Sequence, residues 1–175
     1  MEEIIKIPGE RVKVLIGDNE STKKMLEKKC NIRIDATPDG EVTLRGDTAD
    51  VYFSKSVITA IGRGFDPNTA IKLLEADYQL HIFYLKEYLS SENAIKRIKG
   101  RVIGEKGRTK AEIESATDSS ISVYGNTIAI IGKADSIDYA KEAIERLIRG
   151  ATHTGVYRYL ADVRRRLFEE RLRGV

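Results

Sequence analysis

The chain has 175 residues, of which 41% are hydrophobic, and its 30 basic and 27 acidic side chains leave a formal net charge of +3. This composition predicts a globular protein of one large or two small domains, and the near balance of charge excludes a uniformly basic surface, so nucleic acid would have to bind at a local patch. No apolar run approaches the roughly 18 residues that span a bilayer, and the acidic residues after Met1 are not those of a signal peptide, so we expect a cytoplasmic protein with no membrane partner.

The first 64 residues predict the element order strand, helix, helix, strand, strand, helix. Alternating apolar residues indicate the strands, and apolar residues three or four apart indicate the helices. The turn at residues 38–40 contains Pro, Asp and Gly, so it joins two strands as a hairpin. The segments that carry these patterns are residues 3–8, 11–16, 22–29, 32–34, 42–44 and 51–61.

Residues 65–76 predict a short helical linker. Asp66 is placed to accept a hydrogen bond from the first turn of a helix, and Pro67 suits the first helical position because its missing N–H is not needed there. Ile71 and Leu74 then share one face of this helix. No flexible Gly/Ser segment separates the two halves of the sequence.

The same element order returns in residues 77–150. Residues 78–84 alternate as a strand, two helical patterns meet at residues 104–107, a two-residue hairpin turn follows at Gly125-Asn126, and a strongly amphipathic helix closes the segment. The two halves align at glycines and at apolar positions, which predicts two tandem copies of one domain. The aligned pairs are Ile16-Gly17 with Ile103-Gly104, Leu26 with Ile113, Gly46 with Gly132, Ile58 with Ile144, and Gly64 with Gly150.

In the second copy the two helices are joined by the loop Gly104-Glu105-Lys106-Gly107. Glycines at both ends keep Cβ atoms out of the way of an approaching sugar-phosphate chain, and the amides that open the next helix carry a partial positive charge. Residues 94–110 contain seven Lys or Arg side chains against one acid, so a local cation field surrounds the loop. This combination favours phosphate as the ligand.

A four-residue G-x-x-G pattern is expected by chance about once in a chain of this length, so the flanking residues carry the interpretation. An apolar pair before the loop, a helix on each side and the basic flank together resemble the KH domain, an RNA-binding module whose GxxG loop holds about four nucleotides. The resemblance implies an α+β fold of two tandem type I KH domains. Each is expected to have a three-stranded antiparallel sheet covered on one face by helices.

RNA contacts are predicted around the second loop. They comprise the loop itself, its basic neighbours and two apolar residues placed to touch flat bases. The predicted contact residues are Arg97, Lys99, Arg101, Ile103, Gly104, Glu105, Lys106, Gly107, Arg108, Lys110 and Ile121. Glu105 puts an acid in the loop, which weakens the attraction for phosphate without abolishing it. On this basis residues 77–150 form the RNA-binding KH domain.

The first copy has Gly17-Asp18-Asn19-Glu20 at the corresponding place. It lacks the second glycine and adds two acids, so a phosphate would meet both Cβ atoms and like charge. Residues 1–64 are therefore predicted to form a degenerate KH domain that binds RNA poorly. Two other roles stay open for it, a protein-docking surface and a scaffold that orients the second copy.

Residues 151–175 predict a basic C-terminal helix. Its predicted apolar stripe consists of Tyr159, Val163, Leu167 and Phe168. Its basic residues include the run Arg164, Arg165 and Arg166, which is either a solvated helix face or an accessory contact for RNA or a protein partner.

Enzyme chemistry has little support in the sequence. A nucleotide-binding P-loop needs the spacing G-x-x-x-x-G-K-[ST] directly after a buried strand, whereas Gly100 and Gly104 are one residue too close and follow an amphipathic helix. No nucleophile–base pair appears, and Cys30, His81 and His153 offer neither a disulfide nor metal-ligand spacing. We expect no catalysis, no cofactor and no metal, with Cys30 in the core.

The whole chain resembles one family of tandem KH proteins, the archaeal small-subunit ribosome assembly factors of the Pno/Dim type, which are Krr-like and partner a PIN-domain endonuclease. The resembling segments are residues 100–114 (GRVIGEKGRTKAEIE), 128–132 (IAIIG) and 155–166 (GVYRYLADVRRR). The resemblance implies binding of single-stranded 16S rRNA or its precursor near the 3′ end, on the small-subunit precursor. Its protein partners would be the PIN-domain endonuclease or other assembly or initiation factors, and we expect a monomer.

Two alternatives to ribosome assembly stay open from the sequence. One is a KH adaptor that binds RNA in RNA decay or translation initiation. The other is a protein-interaction scaffold, which would show no salt-sensitive RNA binding.

Overall fold

The computed structural model describes residues 1–174, and the chain folds into two units, Met1–Leu80 and a second that begins at His81. Helices and two three-stranded sheets make up the described chain, which confirms the predicted α+β class. Within residues 1–174, no helix is both long enough and apolar enough to cross a membrane. The same residues contain no group of three or more His, Cys, Asp or Glu side chains placed to hold a metal ion.

The first unit is built around one sheet whose middle strand is antiparallel to both neighbours. Its elements are β1 (Glu2–Lys6), α1 (Val12–Ile16), α2 (Ser21–Cys30), β2 (Arg33–Ala36), β3 (Glu41–Arg45), α3 (Thr48–Gly62) and α4 (Pro67–Ala70), followed by a 3₁₀ turn, Ile71–Leu74. Val42 and Leu44 of the middle strand β3 are fully buried and alternate with exposed or half-buried residues, as the sequence pattern predicts.

Two details of the first unit agree with the sequence. The carboxylate of Asp66 accepts a hydrogen bond from the backbone N–H of Thr69 at 3.0 Å, so Asp66 caps α4 as predicted. Cys30 is only 4% exposed, and burial raises the pKa of its thiol, which therefore stays neutral. The predicted core position of Cys30 is confirmed.

The second unit has β6 in the middle of its sheet and β5 at one edge. Its sheet begins with β4 (Tyr78–Tyr84), which crosses the boundary at His81. Its other elements are α5 (Glu92–Ile103), α6 (Arg108–Thr117), β5 (Ser119–Tyr124), β6 (Thr127–Lys133), α7 (Ile137–Ile148) and α8 (His153–Leu172). Phe83, Ile128 and Ile130 of the sheet share one core with the helices. Val156 and Leu160 of α8 belong to that same core, so the C-terminal helix is an integral part of the second unit.

The buried stripe of α8 differs from the predicted one. Val156, Leu160, Val163 and Leu167 are buried, whereas Phe168 is 62% exposed. The buried residues follow spacings of four, three and four, which keep them on one line along the helix, and Phe168 lies about 100° around from Leu167. The prediction is confirmed for Val163 and Leu167 and was wrong for Phe168, because it placed two consecutive apolar residues on one narrow face.

Tyr159 also belongs to the predicted stripe, and it lies beside the observed line of buried α8 residues. It is half-buried, and the Arg146 guanidinium of α7 lies over its ring at 4.0 Å from the centroid. Burial and then the carboxylate of Glu142 raise the pKa of the Tyr159 phenol, so the ring stays neutral beneath the cation. This cation–π contact stabilises the packing of α8 against α7.

Candidate nucleic-acid interface

The loop between α5 and α6 contains three residues with positive φ. The φ angles are +75° at Gly104, +56° at Lys106 and +75° at Gly107. A left-handed conformation costs a residue with a Cβ about 1–2 kcal/mol, so only Lys106 bears this cost. Glu105 and Lys106 are exposed at the tip, as the predicted clamp requires.

The two glycines of this loop have different tasks. A Cβ on Gly104 would lie 2.2 Å from the hydroxyl oxygen of Thr109 and 2.8 Å from its backbone nitrogen, so Gly104 allows the end of α5 to pack against the first turn of α6. A Cβ on Gly107 would meet nothing within 4 Å. Gly107 therefore leaves an open surface beside the loop, which is where a phosphate chain has room to approach.

Thr109, which is 1% exposed, connects this loop to the C-terminal helix. Its hydroxyl lies 3.0 Å from the phenol oxygen of Tyr157 in α8, at hydrogen-bond distance. A ring nitrogen of His153 lies 3.0 Å from the carbonyl oxygen of Arg101 in α5. The first turns of α8 are thus anchored beside the loop.

The corresponding loop of the first unit has the same backbone conformation. Its φ angles are +72° at Gly17, +52° at Asn19 and +62° at Glu20, although only the first of these residues is a glycine. The two loops therefore differ in side chains and not in backbone path. Glu20 puts a Cβ and a carboxylate where the second unit has bare Gly107.

The predicted cations around the second loop are not all available to RNA. Arg97, Lys106 and Arg108 are exposed, and Lys99 is half-buried. The α5 segment that carries Arg97 and Lys99 is a regular amphipathic helix that begins with the Ser91 hydroxyl accepting a hydrogen bond from the Ala94 N–H at 3.1 Å. These exposed side chains form the cationic surface beside the loop.

Arg101, one of the predicted RNA contacts, makes hydrogen bonds within the protein. Its half-buried guanidinium donates one hydrogen bond to the Leu147 carbonyl at 2.7 Å and another to the Ala151 carbonyl. The charge thus lies at the C-terminal end of α7, where unpaired carbonyls carry partial negative charge. Arg11 does the same in the first unit, where it donates two 2.8 Å bonds to carbonyls at and beyond the end of α3.

Ile121 was predicted to touch bases, and the structure places it differently. Its side chain is 4% exposed and belongs to the hydrophobic core of the second unit. Alternation along β5 correctly separates two faces but does not by itself say which face is covered by helices. Ile103, at 38% exposed and directly before the loop, remains the apolar candidate for a base contact.

In each unit a glutamate on the second helix accepts a hydrogen bond from the backbone of the edge strand. Glu114 accepts a hydrogen bond from the Ile121 N–H at 2.8 Å, and its other oxygen pairs with Lys110 at 3.2 Å. In the first unit Glu27 accepts a hydrogen bond from the Ile34 N–H at 2.9 Å. This repeated contact was missed, although each glutamate precedes its isoleucine by seven residues in both copies.

The first unit also has a cationic groove between α2 and β2, with a volume of about 690 Å³. Its basic lining residues are Lys23, Lys28, Arg33 and Arg45, against Glu27 and Asp35. Arg45 is bound to Glu2 and Asp35, whereas neither Lys28 nor Arg33 has an ion-pair partner within residues 1–174. The groove was missed because the first copy was assessed by its loop alone.

Arg164 of α8 lies on the side of α6 that faces away from β5. Arg164 donates to the Glu112 carboxylate at 2.7 Å and to the Ser115 hydroxyl at 3.3 Å, while Arg165 pairs with Asp162 of its own helix. On α6, Lys110 and Glu114 point toward β5 and lie on the opposite face from these two partners of Arg164. Of the predicted accessory arginines, Arg164 therefore contacts α6 on the face opposite Lys110 and Glu114, and Arg165 pairs within α8.

Known proteins match both halves of the chain. The model of the KH domain matches residues 2–60, and the model of the eukaryotic-type KH domain, type I, matches residues 79–165. A KH domain-containing protein of Methanocaldococcus jannaschii is 43% identical over 94% of this chain and 75% of its own length. The pre-rRNA-processing protein PNO1 of Chaetomium thermophilum is 34% identical over 64% of this chain and 44% of its own length.

A solved relative also matches the fold. Dim2p of Pyrococcus horikoshii OT3, in the crystal structure of the a/eIF2alpha-aDim2p-rRNA complex, has a TM-score of 0.87 and 42% sequence identity to this chain. The match covers 94% of each chain. This chain thus spans nearly all of the archaeal Dim2p but less than half of the fungal PNO1.

Proposed function

Because this chain belongs to the family of KH-domain proteins that includes the Pno1 and Dim2 rRNA-processing factors, we propose that it binds unpaired rRNA near the 3′ end of the small-subunit RNA during subunit assembly. The second KH domain is the main RNA clamp in this proposal, and the protein acts as a binding factor and not as an enzyme. The observation that carries the proposal is the loop of residues 104–107, where exposed cations stand beside a glycine with open space around it.

The loop explains why single-stranded RNA is the favoured ligand. Gly107 gives the backbone of a nucleic acid access to the first amides of α6, and Lys106 and Arg108 neutralise its phosphates. Ile103 adds an exposed apolar side chain next to the loop, against which an unstacked base can pack. A duplex keeps its bases stacked inside and cannot use this contact.

The first unit contributes through its groove and not through its loop. Lys28 and Arg33 line the groove without an ion-pair partner within residues 1–174, whereas the acids of residues 18–20 repel phosphate. A clamp of about four nucleotides is too short to select one RNA site, so contacts from a second groove increase the length of sequence that is bound. Both KH domains therefore bind RNA in this proposal, the second more strongly.

A protein partner fits the same function. The Pyrococcus relative occurs in a complex with both a/eIF2alpha and rRNA. In this proposal the protein binds at the rRNA 3′ end, which is also the cleavage site of a PIN-domain endonuclease. We therefore include an initiation-factor subunit and the endonuclease as candidate partners. Pull-down with each purified candidate, with and without RNA, distinguishes them.

The central test replaces Glu105 and Lys106 together by Asp. Two acids under the phosphates should weaken binding of a labelled twelve-nucleotide RNA with the 16S 3′-terminal sequence at least tenfold, or about 1.4 kcal/mol. The melting temperature should stay unchanged because both side chains are exposed. Fluorescence anisotropy titration measures the affinity. Tighter binding to a duplex or to a shuffled sequence than to the 3′-terminal RNA would contradict the proposal.

A second test concerns the groove of the first unit. Replacing Lys28 and Arg33 by Glu should lower the affinity for the same RNA by about fivefold, or roughly 1 kcal/mol, because two free cations facing the groove are reversed. The matched control replaces Lys13 and Lys29 by Glu, which makes the same change in net charge at exposed positions outside the groove lining. Equal losses in the two double variants would show that only overall charge matters.

A further inference from the structure

We infer that the groove between α6 and α8 binds one further unpaired nucleotide of the RNA, with its base stacked on Phe168 and its phosphate attracted by Arg171 and Arg164. This inference rests on the proposed RNA-binding function and lengthens the RNA path beyond the loop. It assigns a ligand to Phe168, which the sequence analysis placed in a buried stripe, and takes up the accessory RNA contact that the sequence left open for Arg164.

The groove is formed where α6 ends and has a volume of about 360 Å³. Ser115 and Asp118 line its α6 side, while Arg164, Phe168 and Arg171 line its α8 side. Phe168 is 62% exposed, so most of one aromatic ring faces solvent within this groove. An exposed ring in a surface groove provides a stacking platform for a base.

The groove and the loop lie at opposite ends of the same helix α6, and α6 and α8 run side by side in the same direction. Thr109 in the first turn of α6 contacts Tyr157, and further along α6 Glu112 and Ser115 contact Arg164. The ten residues of α6 rise about 15 Å, which sets the distance from the loop to the groove. Nucleotides beyond the four held by a GxxG clamp are the ones that reach this far.

Charge within the groove favours a nucleotide. Arg164 is held in place by Glu112, and Arg171 has no ion-pair partner within residues 1–174. Because Glu112 pairs with Arg164, Arg171 is the cation that is available to a phosphate, and Asp118 lies across the groove from it. A guanidinium beside an aromatic ring suits a base and its phosphate, since it stacks on flat rings and donates to phosphate oxygens in a fixed fork.

The small apolar area speaks against a protein as the occupant. A stable protein interface buries about 800 Å² on each partner and centres on a packed apolar cluster. Among the apolar residues that line this groove only Phe168 is exposed, because Leu167 and Ala116 are buried in the protein, and arginines lie on either side of its ring. A single base therefore fits this surface better than the interface of a protein partner would.

The experiment compares RNAs of two lengths with the full chain. For the double variant Phe168→Ala and Arg171→Ala, affinity for an unstructured twelve-nucleotide RNA should fall about tenfold, equivalent to about 1.4 kcal/mol, through loss of one stacked base and one cation. Affinity for the four-nucleotide RNA that fills only the clamp should stay unchanged. The control is Arg165→Ala, which removes an exposed arginine of α8 that does not line the groove.

A direct signal comes from Phe168→Trp, because the chain contains no tryptophan. Stacking of a base should quench this single fluorophore with the twelve-nucleotide RNA and not with the four-nucleotide RNA. An unchanged affinity of the double variant for the long RNA, or an equal loss for both lengths, would overturn the inference while the clamp stands. Failure of the unmodified protein to bind either RNA would overturn the proposed function itself.

Discussion

Replacing Gly104 by alanine should lower the free energy of unfolding of the second unit by about 3 kcal/mol, whereas alanine at Gly107 should cost only about 1 kcal/mol. Both glycines have a φ of +75°, but ψ is 172° at Gly104 and 12° at Gly107, so only Gly107 lies in the left-handed helical region that alanine can adopt. The new Cβ also meets other atoms at Gly104 and meets none at Gly107. Backbone strain and steric conflict therefore both make Gly104→Ala the more destabilising change.

The conflict at Gly104 has no easy relief. The new Cβ would lie 2.7 Å from the Cβ of Thr109 and 2.8 Å from its backbone nitrogen, and neither atom can move by a rotamer change. A shift of Thr109 would break its hydroxyl contact with Tyr157 and so loosen α8. The steric cost thus spreads from the loop into the packing of the C-terminal helix.

Urea unfolding followed by circular dichroism measures the stability of both variants. RNA titration should show a second difference, since Gly107→Ala introduces a Cβ on the open surface that the phosphate chain approaches and should weaken binding with little loss of stability. Gly17→Ala is the control in the first unit, where the Cβ would meet Thr22 at nearly the same distances. Similar stability losses at Gly104 and Gly107 would contradict the assigned roles.

The sequence reveals the loop and the repeat because both depend on local patterns. Glycine spacing, helical periodicity and aligned apolar positions are properties of short segments, and the first loop even keeps its left-handed backbone at Asn19 and Glu20, where no glycine marks it. Conformation in this case is imposed by the surrounding fold, since the flanking helices α1 and α2 fix where the chain must turn. Local propensity alone would not have placed a glutamate there.

Local sequence patterns do not predict contacts between residues that are far apart in the chain. Ile121 shows the right alternation but its core-facing side is decided by helices packed on the sheet. Phe168 is apolar like its neighbour Leu167, yet α8 buries only one line of residues against the core of its unit, and Phe168 lies outside that line. Basic side chains are equally ambiguous, because a cation near a loop can serve RNA or a helix end.

Arg101 is the sharpest case of this ambiguity. Replacing it by alanine should destabilise the second unit by about 2–4 kcal/mol, because two hydrogen bonds from a charged donor are lost and the carbonyls of Leu147 and Ala151 are left without this partner. Lysine should restore only part of the stability, since one ammonium cannot reproduce the two-pronged donation of a guanidinium. Urea unfolding of the three proteins measures this order.

Arg97 gives the matched control, because it is an exposed arginine on the same helix α5 with no ion-pair partner within residues 1–174. If Arg101 is structural and Arg97 contacts phosphate, Arg97→Ala should leave stability unchanged and reduce the slope of log affinity against log salt by about 0.7 in magnitude. Arg101→Ala should change stability and, at a temperature where the variant is folded, leave that slope unaltered. A reduced slope without a loss of stability in Arg101→Ala would return this residue to the RNA contacts that the sequence predicts.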